Sequence, residues 1–170
     1  MRLILLTDPH LSNLDDVEFL SLRGKRWSGY LSWKKNRRHR YLPAVLSHLV
    51  DAIKSEGADQ VLLTGDLIQI GLDSEIKQAT DWLENLGSAE QVMLVPGNHD
   101  VYARGSTSSL HAAWSEYLFR NDLPETTVIS GEFPVLRKLD KLSIIGLSTA
   151  CVTPVFKASG SLGQKQLTGL

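Results

Sequence analysis

Residues 91–100 of the chain are QVMLVPGNHD, an apolar run followed directly by a cluster of polar side chains. The run Gln91–Val95 is typical of a short buried strand, and Pro96-Gly97 ends it. An amide, an imidazole and a carboxylate then stand side by side. One such triplet is compatible with an ordinary polar turn, so its meaning depends on the residues at the ends of the other strands.

Strand and helix patterns alternate on both sides of this stretch. Pro43 suits the start of one helix, and Gly57 and Gly87 suit the ends of two. The order predicts an α/β fold, with central mixed β-sheets flanked by helices, in a single domain over residues 1–170. The predicted strands are Arg2–Thr7, Gln60–Thr64, Gln91–Val95, Thr127–Ile129, Val135–Leu139 and Leu142–Leu147. The predicted helices are 42–56, Asp73–Leu86 and Ser109–Arg120. The first helix has an apolar face of Leu42, Val45, Leu46, Leu49, Val50 and Ile53.

Composition favours a soluble globular protein. The chain has 170 residues, of which 42% are hydrophobic, enough for one ordinary core. The apolar run before Asp8 is too short for a signal peptide or a membrane span, so we expect a cytoplasmic protein that does not enter the membrane. The single cysteine, Cys151, cannot form an internal disulfide.

Polar residues follow each of the first three predicted strands. In an open α/β sheet, ligands bind beyond the carboxyl ends of the strands, so these residues should meet at one edge. Each motif alone is compatible with a turn or a helix cap. Together they predict a metal or catalytic site made of Asp8, His10, Asp66, Asn98, His99 and Asp100.

The residue types indicate the chemistry of this site. Carboxylate, imidazole and amide oxygen suit divalent Mn, Fe, Zn or Mg, and the absence of cysteine argues against a structural zinc or iron–sulfur site. A carboxylate can bridge two ions. Two ions ~3.5–4 Å apart clamp the attacking and leaving oxygens of a phosphoryl centre and lower the pKa of a bound water to ~7.

The motif order resembles that of the calcineurin-like metallophosphoesterases, which include purple acid phosphatases, cyclic nucleotide phosphodiesterases, diadenosine tetraphosphatases and a repair nuclease. The family order Asp-x-His, Gly-Asp, Gly-Asn-His-(Asp/Glu) matches residues 8–10, 65–66 and 97–100. The resemblance implies a four-layer fold with two metal ions.

It also implies a role for each residue. Asp8 and His10 would hold the first ion, Asp66 would bridge, and Asn98 would hold the second. His99 would stabilise charge in the transition state or protonate the leaving oxygen. Asp100 would orient the ring of His99.

The sequence departs from the family pattern in two places. Gln69 stands where the family often has an acid. The family also ends its site with a later histidine and a Gly-His-x-His motif, but no histidine follows His111. His39, His48 and His111 are more typical of surface positions. A capping box at Ser161 predicts a helix near the chain end, so we expect the chain to be the N-terminal portion of a longer domain, with weak metal binding and little turnover alone.

A basic segment at residues 23–40 holds eight of the eighteen Lys and Arg and no acid, which leaves ten basic and nineteen acidic residues elsewhere. Trp27, Tyr30 and Trp33 would form an aromatic stripe on a helix. The segment could attract phosphate and stack a base, with Arg37, Arg38 and Arg40 as candidate substrate-binding residues. Alternatively, it is an amphipathic cap with a solvated basic face.

The function expected from the resemblance is hydrolysis of a phosphoester by a hydroxide that bridges two metal ions. A small phosphoester such as a nucleotide is the expected substrate, and the cyclic nucleotide phosphodiesterase branch is the nearest analogy. A nuclease that acts on DNA or RNA is the alternative enzyme. A catalytically inactive scaffold of the same fold is the non-enzyme alternative, although a scaffold would have no need of the set Asp8, His10, Asp66, Asn98 and His99.

Overall fold

Strands and helices alternate along most of the chain. A computed structural model describes residues 1–11, 13–40, 43–122 and 131–169. Its elements are β1 (Leu3–Leu6), α1 (Lys25–Asn36), α2 (Pro43–Glu56), β2 (Gln60–Leu63), α3 (Asp73–Leu86), β3 (Val92–Leu94), α4 (Ser106–Phe119), β4 (Val135–Leu139), β5 (Leu142–Gly146) and α5 (Gln164–Thr168). A 3₁₀ turn at Phe19–Ser21 precedes α1.

The first three strands form a parallel sheet in the order β1-β2-β3. Leu6 pairs with Leu63, and Leu63 pairs with Leu94, so the carboxyl ends of all three strands lie at one edge. Strands β4 and β5 form a separate antiparallel pair, with Val135 opposite Gly146. The predicted α/β class is confirmed, with the parallel and antiparallel pairings in separate sheets.

Most predicted element boundaries agree with the structure. Helix α3 begins and ends where the sequence predicts, whereas α4 begins earlier, at Ser106. The predicted cap of α5 at Ser161 is wrong. Gly163 takes that position, because its carbonyl accepts the first N–H donors of the helix. The predicted run Thr127–Ile129 lies outside the described residues.

The main core lies between one face of the parallel sheet and the helices α2, α3 and α4. The apolar face predicted for α2 is confirmed by four buried or partly buried residues, Leu46, Leu49, Val50 and Ile53. Val45 was assigned to it wrongly, since 59% of its surface is exposed. At ~100° per residue it points about 140° away from Val50. Leu42 lies outside the described residues.

A second apolar cluster fixes α1 against the loops that follow β2 and β3. Trp33 of α1 is 2% exposed, and it belongs to this cluster with Leu14, Leu22, Ile70, Leu72 and Tyr102. The predicted aromatic stripe is confirmed, because the ring centroids of Trp27 and Tyr30 are 6.3 Å apart and those of Tyr30 and Trp33 are 5.9 Å apart.

Hydrogen bonds and a close contact of the backbone also hold helix α1 in place. The guanidinium of Arg26 donates to the carbonyls of Gly71, at 2.5 Å, and Ile70, at 3.3 Å. A Cβ at Gly29 would overlap the hydroxyl of Tyr102 and lie 2.7 Å from Cγ2 of Ile70. The basic segment is therefore a packed helix beside the edge where the strands end.

Candidate active site

Three of the residues predicted at strand ends have a left-handed backbone. The φ angles are 53° at Asp8, 47° at His10 and 56° at Asp66. Such values are uncommon for residues other than glycine and tend to occur at functional sites. The N–H of Asp8 donates to the carbonyl of Gly65 at 3.1 Å, and that of His10 donates to the carbonyl of Asp66 at 3.0 Å. The ends of β1 and β2 are therefore held side by side.

Asp66 lies at the meeting point of the three strand ends. Its carboxylate is largely buried, and Oδ1 accepts the backbone N–H of His99 at 2.9 Å. Gly97 packs directly on this residue. A Cβ at position 97 would overlap Oδ1 of Asp66 and lie 2.6 Å from its backbone nitrogen. The glycine of the Gly-Asn-His-Asp stretch is needed for this close approach.

The carboxylate of Asp100 is fully buried and is surrounded by backbone donors. It accepts N–H bonds of 2.8–3.2 Å from Gly97, Asp66, Leu67 and Ile68. Burial raises the pKa of Asp100 to about 7; the N–H groups lower the pKa and the charge of Asp66 raises it. Asp100 thus ties the loop after β3 to the loop after β2.

The ring of His99 is oriented by a carbonyl and by an arginine. Nδ1 lies 2.5 Å from the carbonyl oxygen of Gln69, and Nε2 lies 3.2 Å from Nη1 of Arg37. A carbonyl only accepts and a guanidinium only donates, so Nδ1 carries the proton and Nε2 the lone pair. The prediction that Asp100 orients this ring is wrong, because the oxygens of Asp100 bind backbone N–H groups.

Sequence reasoning missed Tyr102, which contacts His99, and Lys25, which contacts Tyr102. The ring of Tyr102 stacks on that of His99, with centroids 5.7 Å apart and an angle of 21°. Nζ of Lys25 lies 4.2 Å from the centroid of Tyr102. The only sequence signal for Tyr102 is its position two residues after Asp100.

His10 is buried and presents a neutral ring to the same site. Its Nδ1 lies 3.2 Å from the carbonyl oxygen of Ile68, which directs the lone pair to Nε2. Burial is the main cause that lowers the pKa of His10, followed by the neighbouring ring of His99, while Asp66 raises that pKa. The neutral imidazole is the form that binds metal ions.

An open cleft of about 560 Å³ contains the other predicted ligands. Asp8, Asp66 and Asn98 line it, opposite residues of β5 and the loop that follows. Asp8 is exposed and Asn98 is half-buried. Asp8, Asp66 and Asn98 therefore share the lining of one cleft, and a ligand atom of His10 lies within 4.8 Å of Asp66. Asp8 does not belong to that closer cluster of ligand atoms in the described part of the chain.

A family model described as calcineurin-like phosphoesterase matches residues 1–154. The chain belongs to the calcineurin-like phosphoesterase family. The family is metal-dependent, typically with two metal ions, and its activity is the hydrolysis of phosphoesters. Within the described ranges, no helix is both long enough and apolar enough to cross a membrane.

The donor groups of this phosphoesterase site fit divalent ions. Ligand atoms of His10, Asp66 and His99 all lie within 4.8 Å of one another. His10 and Asp66 have the geometry of ligands. His99 does not, because both its ring nitrogens are hydrogen-bonded and an ion there would face the charge of Arg37.

The three arginines predicted to bind substrate have different surroundings. Arg37 contacts His99 and is half-buried. Nε of Arg38 instead forms an ion pair with Oδ1 of Asp15 at 2.6 Å, and Arg40 is exposed. Of these three arginines, the structure therefore brings only Arg37 into contact with His99.

Gln69 and the remaining histidines differ in burial. The side chain of Gln69 is fully buried, and its amide has no hydrogen-bond partner within the described part of the chain. His39 and His48 are exposed, as predicted. His111 is half-buried against Phe119, with ring centroids 4.9 Å apart, and it does not belong to the cluster of ligand atoms in the described part of the chain.

Proposed function

We propose that the chain is a metal-dependent phosphoesterase that hydrolyses a phosphodiester or a phosphate monoester at two divalent ions. The position of Asp66 is the main support. This carboxylate lines the cleft together with Asp8 and Asn98, and it lies within 4.8 Å of a ligand atom of His10. A carboxylate close to several donors of this kind is suited to contact two ions.

The family resemblance implies the roles of the residues, and their donor atoms are compatible with these roles. Asp8 and His10 would hold the first ion, Asn98 would hold the second, and Asp66 would contact both. Mn, Fe, Zn and Mg all suit oxygen and imidazole donors. The bound ions would supply hydroxide at neutral pH by lowering the pKa of water to ~7.

His99 is the group proposed to act on the leaving oxygen. In the geometry described, its Nε2 accepts a hydrogen bond and cannot donate one. Once Nε2 takes up a proton, the ring can donate to the leaving oxygen while Nδ1 stays on the carbonyl of Gln69. That carbonyl therefore keeps the ring aligned through proton transfer.

Metal dependence is tested by titration of the full chain with Mn²⁺ and by hydrolysis of bis(4-nitrophenyl) phosphate. We expect weak Mn²⁺ binding and slow hydrolysis, both abolished by EDTA. The Asp66→Asn variant should lose at least about 100-fold in hydrolysis, because one oxygen of the bridge becomes a donor amide. Asp51→Asn, which removes an exposed carboxylate on α2, is the matched control and should behave like the wild type. Hydrolysis that survives EDTA, or that Asp66→Asn leaves intact, would contradict the proposal.

A nuclease is the second candidate, because α1 carries exposed basic residues, including Lys34 and Lys35, next to Arg37 at the site. A nuclease should bind single-stranded DNA with an affinity that falls steeply as salt rises. Binding that is independent of salt, or no binding, would favour the small phosphoester as substrate.

A further inference from the structure

Helix α1 delivers one permanent cation to the catalytic residues. Trp33 and the contacts of Arg26 fix the helix, and the backbone N–H of Arg37 donates to the carbonyl of Trp33 at 2.8 Å. The position of Arg37 at the end of α1 is thus set by the packing of the preceding turn. The guanidinium points to the site as part of the fold.

The surroundings of Arg37 differ from those of Arg38, its neighbour in sequence. Arg38 forms an ion pair with Asp15, whereas Arg37 forms none within the described residues. The guanidinium of Arg37 donates to Nε2 of His99, which is a neutral acceptor. An anionic oxygen would add Coulomb attraction to the hydrogen bond, so it would be a better partner for the guanidinium of Arg37 than the neutral ring of His99 is.

We propose that Arg37 binds the phosphoryl group of the substrate and exchanges its hydrogen bond to His99 for bonds to phosphoryl oxygens. The inference rests on the proposed phosphoesterase function. A guanidinium can donate two parallel N–H bonds, which suits a phosphoester with at least two unesterified oxygens. Phosphate monoesters and diesters meet this condition, but phosphotriesters do not.

The test measures the affinity of the full chain, loaded with Mn²⁺, for inorganic phosphate by calorimetry. Arg37→Gln should weaken phosphate binding by about 10- to 100-fold, the loss expected for a charged hydrogen bond. Arg37→Lys keeps the charge without the planar fork and should show a smaller loss, about 3- to 10-fold. The control Lys77→Gln removes an exposed positive charge from α3 and should stay within about twofold of the wild type.

A titration with Mn²⁺ separates this inference from the proposed function. Arg37 is not a ligand, so both Arg37 variants should bind Mn²⁺ at least as well as the wild type. If the wild type binds no Mn²⁺, the proposed function fails and this inference fails with it. If Mn²⁺ binds but Arg37→Gln leaves phosphate affinity unchanged, or Lys77→Gln weakens it equally, only the role of Arg37 is overturned.

Discussion

The carboxylates of Asp100 and Asp8 lie just after β3 and β1, and their surroundings are opposite. Asp100 is fully buried and accepts four backbone N–H bonds. Asp8 is exposed, accepts a hydrogen bond from the hydroxyl of its neighbour Thr7, and lines the open cleft. Glu75 resembles Asp100, because it is buried and accepts the N–H groups of Gln69, Ile70 and Leu72.

This difference separates two uses of the same side chain. Asp100 and Glu75 hold the loop after β2, through residues 66–68 and 69–72 respectively, so their oxygens serve the fold. Asp8 keeps oxygen lone pairs at the cleft, where an ion can bind. Substitution of Asp100 should therefore lower the free energy of unfolding, whereas substitution of Asp8 should lower the affinity for metal ions.

The largest expected loss of stability follows from Asp100→Ala. The change leaves four N–H groups without their acceptor, and breaking such a buried network costs about 3–5 kcal/mol. Urea denaturation measures this change in the free energy of unfolding. The matched change Asp8→Ala should cost far less. A loss below about 1 kcal/mol for Asp100→Ala would mean that water or another group replaces the carboxylate easily.

The sequence predicts the fold class and the gathering of the site because both depend on local patterns. The spacing of apolar residues predicts α3, and polar residues directly follow the apolar runs of β1, β2 and β3. Parallel pairing aligns the carboxyl ends of these strands, so Asp8, His10, Asp66 and Asn98 lie at one edge of the sheet.

The contacts of Asp100 and Arg37 are with residues distant in sequence, so local patterns could not predict what Asp100 binds or which of the three candidate arginines reaches His99. The donors to Asp100 include residues 66–68, more than thirty positions earlier. Arg37 reaches His99 because Trp33 packs with Ile70 and other residues of the loops beside the site. The adjacency of Asp100 and His99 in sequence suggested a contact that their backbone geometry does not make.

A smaller loss of stability is expected from Gly97→Ala, which would push the loop after β3 away from the loop after β2. The added methyl group would overlap Oδ1 of Asp66 and come within 2.6 Å of its backbone nitrogen. We expect a loss of about 1–3 kcal/mol in the free energy of unfolding, as for other overpacked sites. Mn²⁺ affinity should fall with it, because Asp66 must move.

Gly163→Ala is the matched control for this change. A Cβ at Gly163 meets no atom within 4 Å, and its φ of −69° suits any residue. Both stability and Mn²⁺ affinity should stay at the wild-type level. If Gly97→Ala also behaves like the wild type, the loops after β2 and β3 do not need their close contact.

The smallest effect on stability is expected from Asp8→Asn. Asp8 is exposed, and asparagine tolerates the left-handed backbone found there, so the free energy of unfolding should stay within about 0.5 kcal/mol of the wild type. Mn²⁺ affinity should fall by about 10- to 100-fold, because the ion loses an anionic ligand. Asp51→Asn removes one negative charge at a site away from the cleft, so it controls for the change in net charge. Equal losses of Mn²⁺ affinity in both variants would show that net charge, and not coordination by Asp8, holds the ion. A loss confined to Asp8→Asn, at unchanged stability, would instead establish that this carboxylate serves the chemistry of the site and not its fold.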